Sequence, residues 1–370
     1  MDILQYMPIF NFQLLTIIMY KILVINPGST STKIAVFEDE KNIYEKTLRH
    51  STEELSPFPT VASQYEFRES VILDCLKFDK IEPVFDMIIG RGGMLRPLES
   101  GAYFINAQMK TDLLSATYGE HACSLGGLIA DKLAQKFACK AIIADPVVVD
   151  EMQDLARVSG HPLFPRISTF HCLNQKAIAR RFAKEKGVPY ESLNLIVAHL
   201  GGGVSVGAHQ KGKVVDVNNA LGSGPFSPER SGTLPSKDLA TLCFSGKYTP
   251  LEIQKMCNGN GGLIAHLGTN SAFEVEKRVE AGDKHAALIF SAMAYSIAKE
   301  IGSMAAVLKG KVDAILFTGG IAYGKQFVDE IAEMVKFIAP TRTYAGEDEL
   351  LALAQHAVRI LNGEEECKEY

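Results

Sequence analysis

A chain of 370 residues is too long for one ordinary core and fits two domains, and 47% hydrophobic with 22% charged residues excludes a disordered or fibrous protein. A formal net charge of -5 supplies no basic field to track a phosphate backbone, so nucleic acid gives way to a small molecule as the expected partner. The seven cysteines, odd in number and without a C-x-x-C pair, speak against a zinc site or disulfide framework and for a reducing, cytoplasmic setting.

Residues 1–19 are apolar, but Asp2 stands where a signal peptide carries Lys or Arg, and Pro8, Asn11 and Gln13 interrupt any membrane span. They are read as an upstream extension without function, and no membrane partner is expected. The first strand follows at once. "YKILVIN" and "TKIAVFE" are β-branched apolar runs on either side of Gly28, the pattern of a hairpin opening a sheet. Its tip gathers Asn26, Ser29, Ser31 and Lys33: hydroxyl donors, a cation and an amide oxygen suited to a hydrated metal, with phosphate as the natural guest. A plain solvent-facing turn has the same composition.

Arg91, in "IIGRGGM", follows a buried strand and is flanked by glycines that would admit a ligand; a guanidinium there can hold carboxylate or phosphate bidentately. Asp145, in "AIIADPVVVDEM", ends another apolar strand, where open α/β sheets place their chemistry. His171 stands at the entry to a helix, a position that favours anions. Both residues could equally cap local structure.

"NLIVAHLGGGVSVGAHQKGKVVDVN" repeats the first unit: a strand ends in His199, passes through Gly201, Gly202 and Gly203, meets a serine and returns as a strand. Three consecutive glycines carry an entropic cost that a simple corner does not require, and the echo suggests two related halves, each opening with a phosphate-sized turn. Arg230 follows in "FSPERSGTLP", a second guanidinium in a Pro-, Ser- and Gly-rich loop. Helical spacing runs from Lys284 to Leu308. "DAILFTGGIAYGKQ" then leads a strand through Gly319, Gly320 and Ile321 into a helix; Gln326 stands where a P-loop needs Ser or Thr, so the glycine pair suits the nucleoside or its α-phosphate and no Walker site. The last helical pattern, Glu349 to Leu361, is opened by "EDE", Glu347 to Glu349, where carboxylates also complement the helix dipole.

Together "INPGSTSTKIAVFE", "RVSGHPLFPRISTFHCLNQKAIARRFA", "HLGGGVSVGAH" and "DVNNALGSGPFSPERSGTLP" resemble the acetate kinase family of the acetate and sugar kinase, heat-shock protein and actin superfamily, from Tyr20 to about Leu361. The resemblance implies an α/β chain of duplicated ribonuclease-H-like domains, the actin-like ATPase fold, with a nucleotide cleft between domains at 20–170 and 171–361 and a tail at 362–370. It implies ATP and Mg²⁺, and transfer of the γ-phosphoryl to butanoate or a branched short acid; a homo-oligomer is expected because closed symmetric assemblies are common. Acetate or propionate kinases and non-catalytic actin-like switches are the rivals. By motif, Asn26 matches the asparagine near Mg²⁺; Ser29, Ser31 and Lys33 the first phosphate turn; and His199, Gly201, Gly202 and Gly203 the second. Gly319, Gly320 and Ile321 match the adenosine turn. Arg91 matches the substrate arginine, Arg230 and His171 the transition-state pair, Asp145 the essential aspartate, and Asp348 a metal-linked glutamate. In "TNSAFE", Ala272, Phe273 and Glu274 stand where the family tends to have Asp, Met and Arg.

Overall fold

The computed structural model describes residues 19–370; the extension read at the start of the chain lies, apart from Met19, outside the described residues. Both hairpins form as the apolar runs require. Strand β1 (Lys21–Pro27) buries Ile22, Leu23, Val24 and Ile25 completely and pairs antiparallel with β2 (Ser31–Glu38). Strand β3 (Lys41–Arg49) adds to β2, while β4 (Met87–Arg91) and β6 (Lys140–Ala144) run parallel to β1 and β5 (Ala102–Phe104) closes the edge, giving the order β3-β2-β1-β4-β6-β5.

The second sheet repeats the plan. Strands β7 (Asn194–Leu200), β8 (Val204–Gln210) and β9 (Lys213–Val217) form the antiparallel part, β10 (Ala314–Gly319) and β11 (Thr341–Ala345) the parallel part, in the order β11-β10-β7-β8-β9. The likeness extends to an irregularity. With Asn26 set against His199, the register shift between Val36 and Phe37 in β2 falls opposite the shift between Ala208 and His209 in β8. The two halves are one fold used twice.

Helices fill both faces. The helix Leu125–Phe137 lies so close to β4 that a Cβ on Gly90 would stand 2.1 Å from the Gly126 carbonyl oxygen. In the second half the helix Lys284–Val307 sends Phe290, Met293, Ile297 and Ile301 into the core with Ile196, Val206 and Phe317. No helix among the described residues is long and apolar enough to cross a membrane.

Two boundaries differ from the sequence reading. The last helix, Glu349–Leu361, belongs by packing to the first half: Leu350, Leu353 and Ala357 share a core with Ile22, Val24 and Ile89, because its apolar stripe matches the open face of β1 and β4. Nor is 362–370 a loose tail. The Lys368 backbone exchanges hydrogen bonds with Ala102 and Phe104 at the sheet edge, and the buried Tyr370 hydroxyl donates to Asp112 at 2.6 Å.

Candidate active site

Strands β1, β4, β7 and β10 end on the same side, and the parallel pairing brings Asn26, Arg91, His199 and Gly319 to the cleft. The start of the last helix lies between them. Glu349 Oε2 accepts from Asn26 Nδ2 and from Arg91 Nη1, both at 2.8 Å. Glu347, two residues earlier, places Oε1 3.1 Å from His199 Nε2. One short stretch thus sends a carboxylate to each half. The His199 imidazole, with Arg91 and Lys33 beyond it, holds the Glu347 carboxyl below its ordinary pKa.

The sequence reading assigned the metal-side acid to Asp348. That side chain instead caps the helix, accepting from the Leu351 N–H at 3.0 Å, and stands exposed. Asp348 is the N-cap, with non-helical backbone at φ -99° and ψ 64°, and the carboxylates on either side of it are the ones that reach Asn26, Arg91 and His199. Asn26, Glu347 and Glu349 present hard oxygen atoms. Two carboxylates and an amide oxygen are a donor set that fits Mg²⁺, which takes one or two carboxylates and completes its shell with phosphate and water.

Two imidazoles line the second half. The rings of His171 and His199 stack at 3.8 Å between centroids and 11° between planes; Ser205 Oγ lies 2.8 Å from His171 Nδ1, and Asn174 Oδ1 lies 2.8 Å from His199 Nδ1. Burial, then the charges of His199, Arg230 and Arg91, hold the pKa of His171 well below its usual value, so the ring is neutral at pH 7.

Arg230 covers the glycine turn. Its Nη1 donates to the Ala220 carbonyl at 2.9 Å and its Nε to Asn258 Oδ1 at 3.2 Å; a Cβ on Gly203 would fall 1.8 Å from Nη1. The glycine is there so that the guanidinium can lie on the backbone. Gly201 abuts His199 and Glu347, and Ser227 Oγ donates to the Gly202 carbonyl at 2.7 Å. On the first turn Ser29 and Lys33 are exposed and Ser31 is half-buried.

A cavity of about 500 Å³ adjoins the second turn, lined by Gly201, Gly320, Ile321, Phe273, Glu276 and Tyr323. The turn after β10 and the divergent "TNSAFE" segment therefore meet at one pocket. Phe273 offers an exposed ring there, and burial raises the pKa of the Glu276 carboxyl.

Two readings around β4 and β6 are corrected. The glycines beside Arg91 do not open a path for ligand: a Cβ on Gly92 would meet Pro146 at 2.7 Å and one on Gly93 would meet Ser124 at 2.3 Å. They permit close packing. Asp145 is at its strand end as expected, but the backbone turns there at φ 38° and the side chain is buried away from the cleft. Its carboxylate accepts from Ser100 Oγ at 2.6 Å, the Gly101 N–H at 2.9 Å and His356 Nε2 at 3.0 Å. Strand-end reasoning fixes where a Cα lies and leaves the side-chain direction open.

His356 is one of the residues that sequence reasoning missed. Its Nδ1 faces both Glu365 oxygens at 3.2 Å and its Nε2 the Asp145 carboxylate at 3.0 Å, so the ring joins β6, the last helix and the C-terminal segment. His121 is another. Its Nδ1 accepts from the Cys123 N–H at 3.2 Å, which leaves the proton on Nε2, and burial followed by the charges of Arg91 and Arg230 lowers its pKa. A lone histidine in a polar loop ahead of a glycine-rich helix gave no distinctive signal.

The family model described as the acetokinase family matches residues 164–339. Butyrate kinase 2 of Clostridium acetobutylicum is 57% identical over 354 residues, 95% of this chain and 99% of that protein. Butyrate kinase 1 of the same organism is 54% identical over 354 residues, 95% of this chain and all of that protein. Among solved structures, Porphyromonas gingivalis acetate kinase superposes with a TM-score of 0.76 at 20% identity, covering 92% of this chain and 100% of that one. A propionate kinase from Francisella tularensis gives 0.72 at 20% identity, with 91% and 99% covered. At that identity the structural likeness speaks for the fold.

Proposed function

The chain belongs to the acetokinase family, and from that premise we propose that it transfers the γ-phosphoryl group of ATP reversibly to butyrate, giving butyryl phosphate and ADP. The observation that carries this reading is the facing of Asn26 and Arg91 in one half by His171, His199 and Arg230 in the other, with Glu347 and Glu349 between them.

Phosphoryl transfer asks the protein for positioning and charge neutralisation. With one guanidinium nitrogen on Glu349, Arg91 presents the rest of its fork to the substrate carboxylate. A carboxylate oxygen then forms the new bond to the γ-phosphorus as the bond to the ADP oxygen breaks. Arg230, the neutral His171 and His199 gather the equatorial oxygens, and the two turns hold the remaining phosphates. Short carboxylic acids, like the glutamate side chain at about 4.3, are ionised at neutral pH, so no general base is required; the retreat of Asp145 from the cleft fits that economy. Mg²⁺ held by Asn26 with Glu347 or Glu349 would supply further neutralisation of the β- and γ-phosphates.

Trapping acyl phosphate as hydroxamate tests the assignment, with ATP, Mg²⁺ and acetate, propionate, butyrate, isobutyrate or isovalerate in parallel. The expected result is a maximum of kcat/KM at four or five carbons. Because one methylene contributes only about 1–3 kcal/mol, neighbouring acids should react within about 200-fold. A maximum at acetate would move the chain to the acetate-specific side of the family. No product from protein that binds ATP would leave a nucleotide-driven switch.

A further inference from the structure

Arg68, on the helix Tyr65–Phe78, is completely buried directly beneath the first phosphate turn. Its Nη1 donates to the carbonyls of Gly28 at 2.7 Å and Ser31 at 3.0 Å and to Thr32 Oγ1 at 3.2 Å; its Nη2 donates to the Ser29 carbonyl at 2.9 Å and to Gln64 Oε1 at 2.8 Å. Every acceptor is neutral, and no carboxylate lies within ion-pair distance among the described residues. Burial pulls its pKa down to about 10, which leaves it charged at neutral pH. The nearby His50 has its pKa lowered by burial and then by Arg68 itself. An interior cation without an anion is costly, and the tip residues above it, Ser29 and Thr30, are exposed.

We infer that Arg68 is a positioning residue for the nucleotide phosphates: by drawing the Gly28, Ser29 and Ser31 carbonyls inward it turns the donors of the tip toward the cleft and adds its own charge beneath them. The geometry at the tip agrees, since neither the Ser29 nor the Thr30 backbone N–H finds an acceptor among the described residues, while the carbonyls beside them are taken. A peptide unit that points its oxygen at a guanidinium points its N–H the other way, and successive N–H groups so directed form an anion nest. In the second half, Ser227 does the same for the Gly202 carbonyl.

This rests on the phosphoryl-transfer reading, and the test separates the two. Arg68→Lys and Arg68→Met enzymes are compared with the unaltered protein for kcat, KM of ATP, KM of butyrate, and the dissociation constants of ATP and adenosine. The expected result is a rise of about tenfold or more in KM and Kd for ATP, with adenosine affinity and butyrate KM within about twofold because neither contacts the turn. Equal loss of ATP and adenosine affinity, or no change in either, overturns the inference. Should both variants fail to fold, Gln64→Ala removes only the side chain that orients the guanidinium; a rise of about threefold in KM for ATP is expected, and an unchanged value overturns it. An unaltered protein that binds ATP no better than adenosine and makes no acyl phosphate defeats the kinase reading instead.

Discussion

Replacing Arg230 with alanine is expected to lower kcat by about 10³-fold while the KM values for ATP and butyrate stay within a few-fold, the signature of a cation whose contact strengthens only in the transition state. The guanidinium is anchored by the Ala220 carbonyl and Asn258, and lies against Gly203 rather than deep in the core. Its removal therefore leaves no buried charge behind, and the fold should survive. Arg230→Lys should recover only part of the loss, because an ammonium cannot reproduce the planar fork. Steady-state kinetics with circular dichroism as a folding control decides the matter: near-normal kcat in the folded alanine enzyme removes Arg230 from the reaction.

The second large effect concerns stability. His356→Ala should cost about 3–5 kcal/mol in urea unfolding, since it leaves the buried Asp145 and the half-buried Glu365 without the ring that joins them. Acid behaviour follows from the same contacts. Burial alone would raise the Asp145 carboxyl, but His356 and then Arg180 outweigh it and hold its pKa well below 3.8; Glu365, with His356 and Arg359 outweighing burial, falls from 4.5 to about 2. Both acids are depressed in the folded state, so the stability they contribute is fully present above the unfolded carboxyl range and is lost as pH falls through 4 toward 2. Unfolding free energies between pH 6 and 3 should decline for the unaltered protein and lie lower and flatter for His356→Ala. A loss under about 1 kcal/mol would show that the His356 bridge holds nothing.

Much of this was legible in the sequence where the signal is local. The two hairpins, the glycine turns and the internal echo follow from period-two apolar runs broken by small residues, and the sheet orders repeat as the echo implied. What stayed hidden depends on direction or on contacts distant in sequence. Asp145 is at its strand end with its carboxylate turned inward; Asp348 and Glu349 differ by one step around a helix start; Arg68 is one charged residue among several in a helix until the turn above it is seen. The last helix follows the second sheet in the chain, yet its stripe of Leu350, Leu353 and Ala357 fits the first, a choice made by surface complementarity across more than 300 residues, from Ile22 to Leu350.

The acidic pair that opens that helix also bears on how ligands are received. Arg91 and His199 already have anionic company, Glu349 for one and Glu347 for the other. In the proposed reaction a carboxylate reaching Arg91 enters by exchange, taking a share in a guanidinium that Glu349 already neutralises. The free energy released is the difference between two ion pairs and not the full strength of one. A cleft arranged in this way can discriminate among anions by fit while holding each of them loosely enough to let product leave.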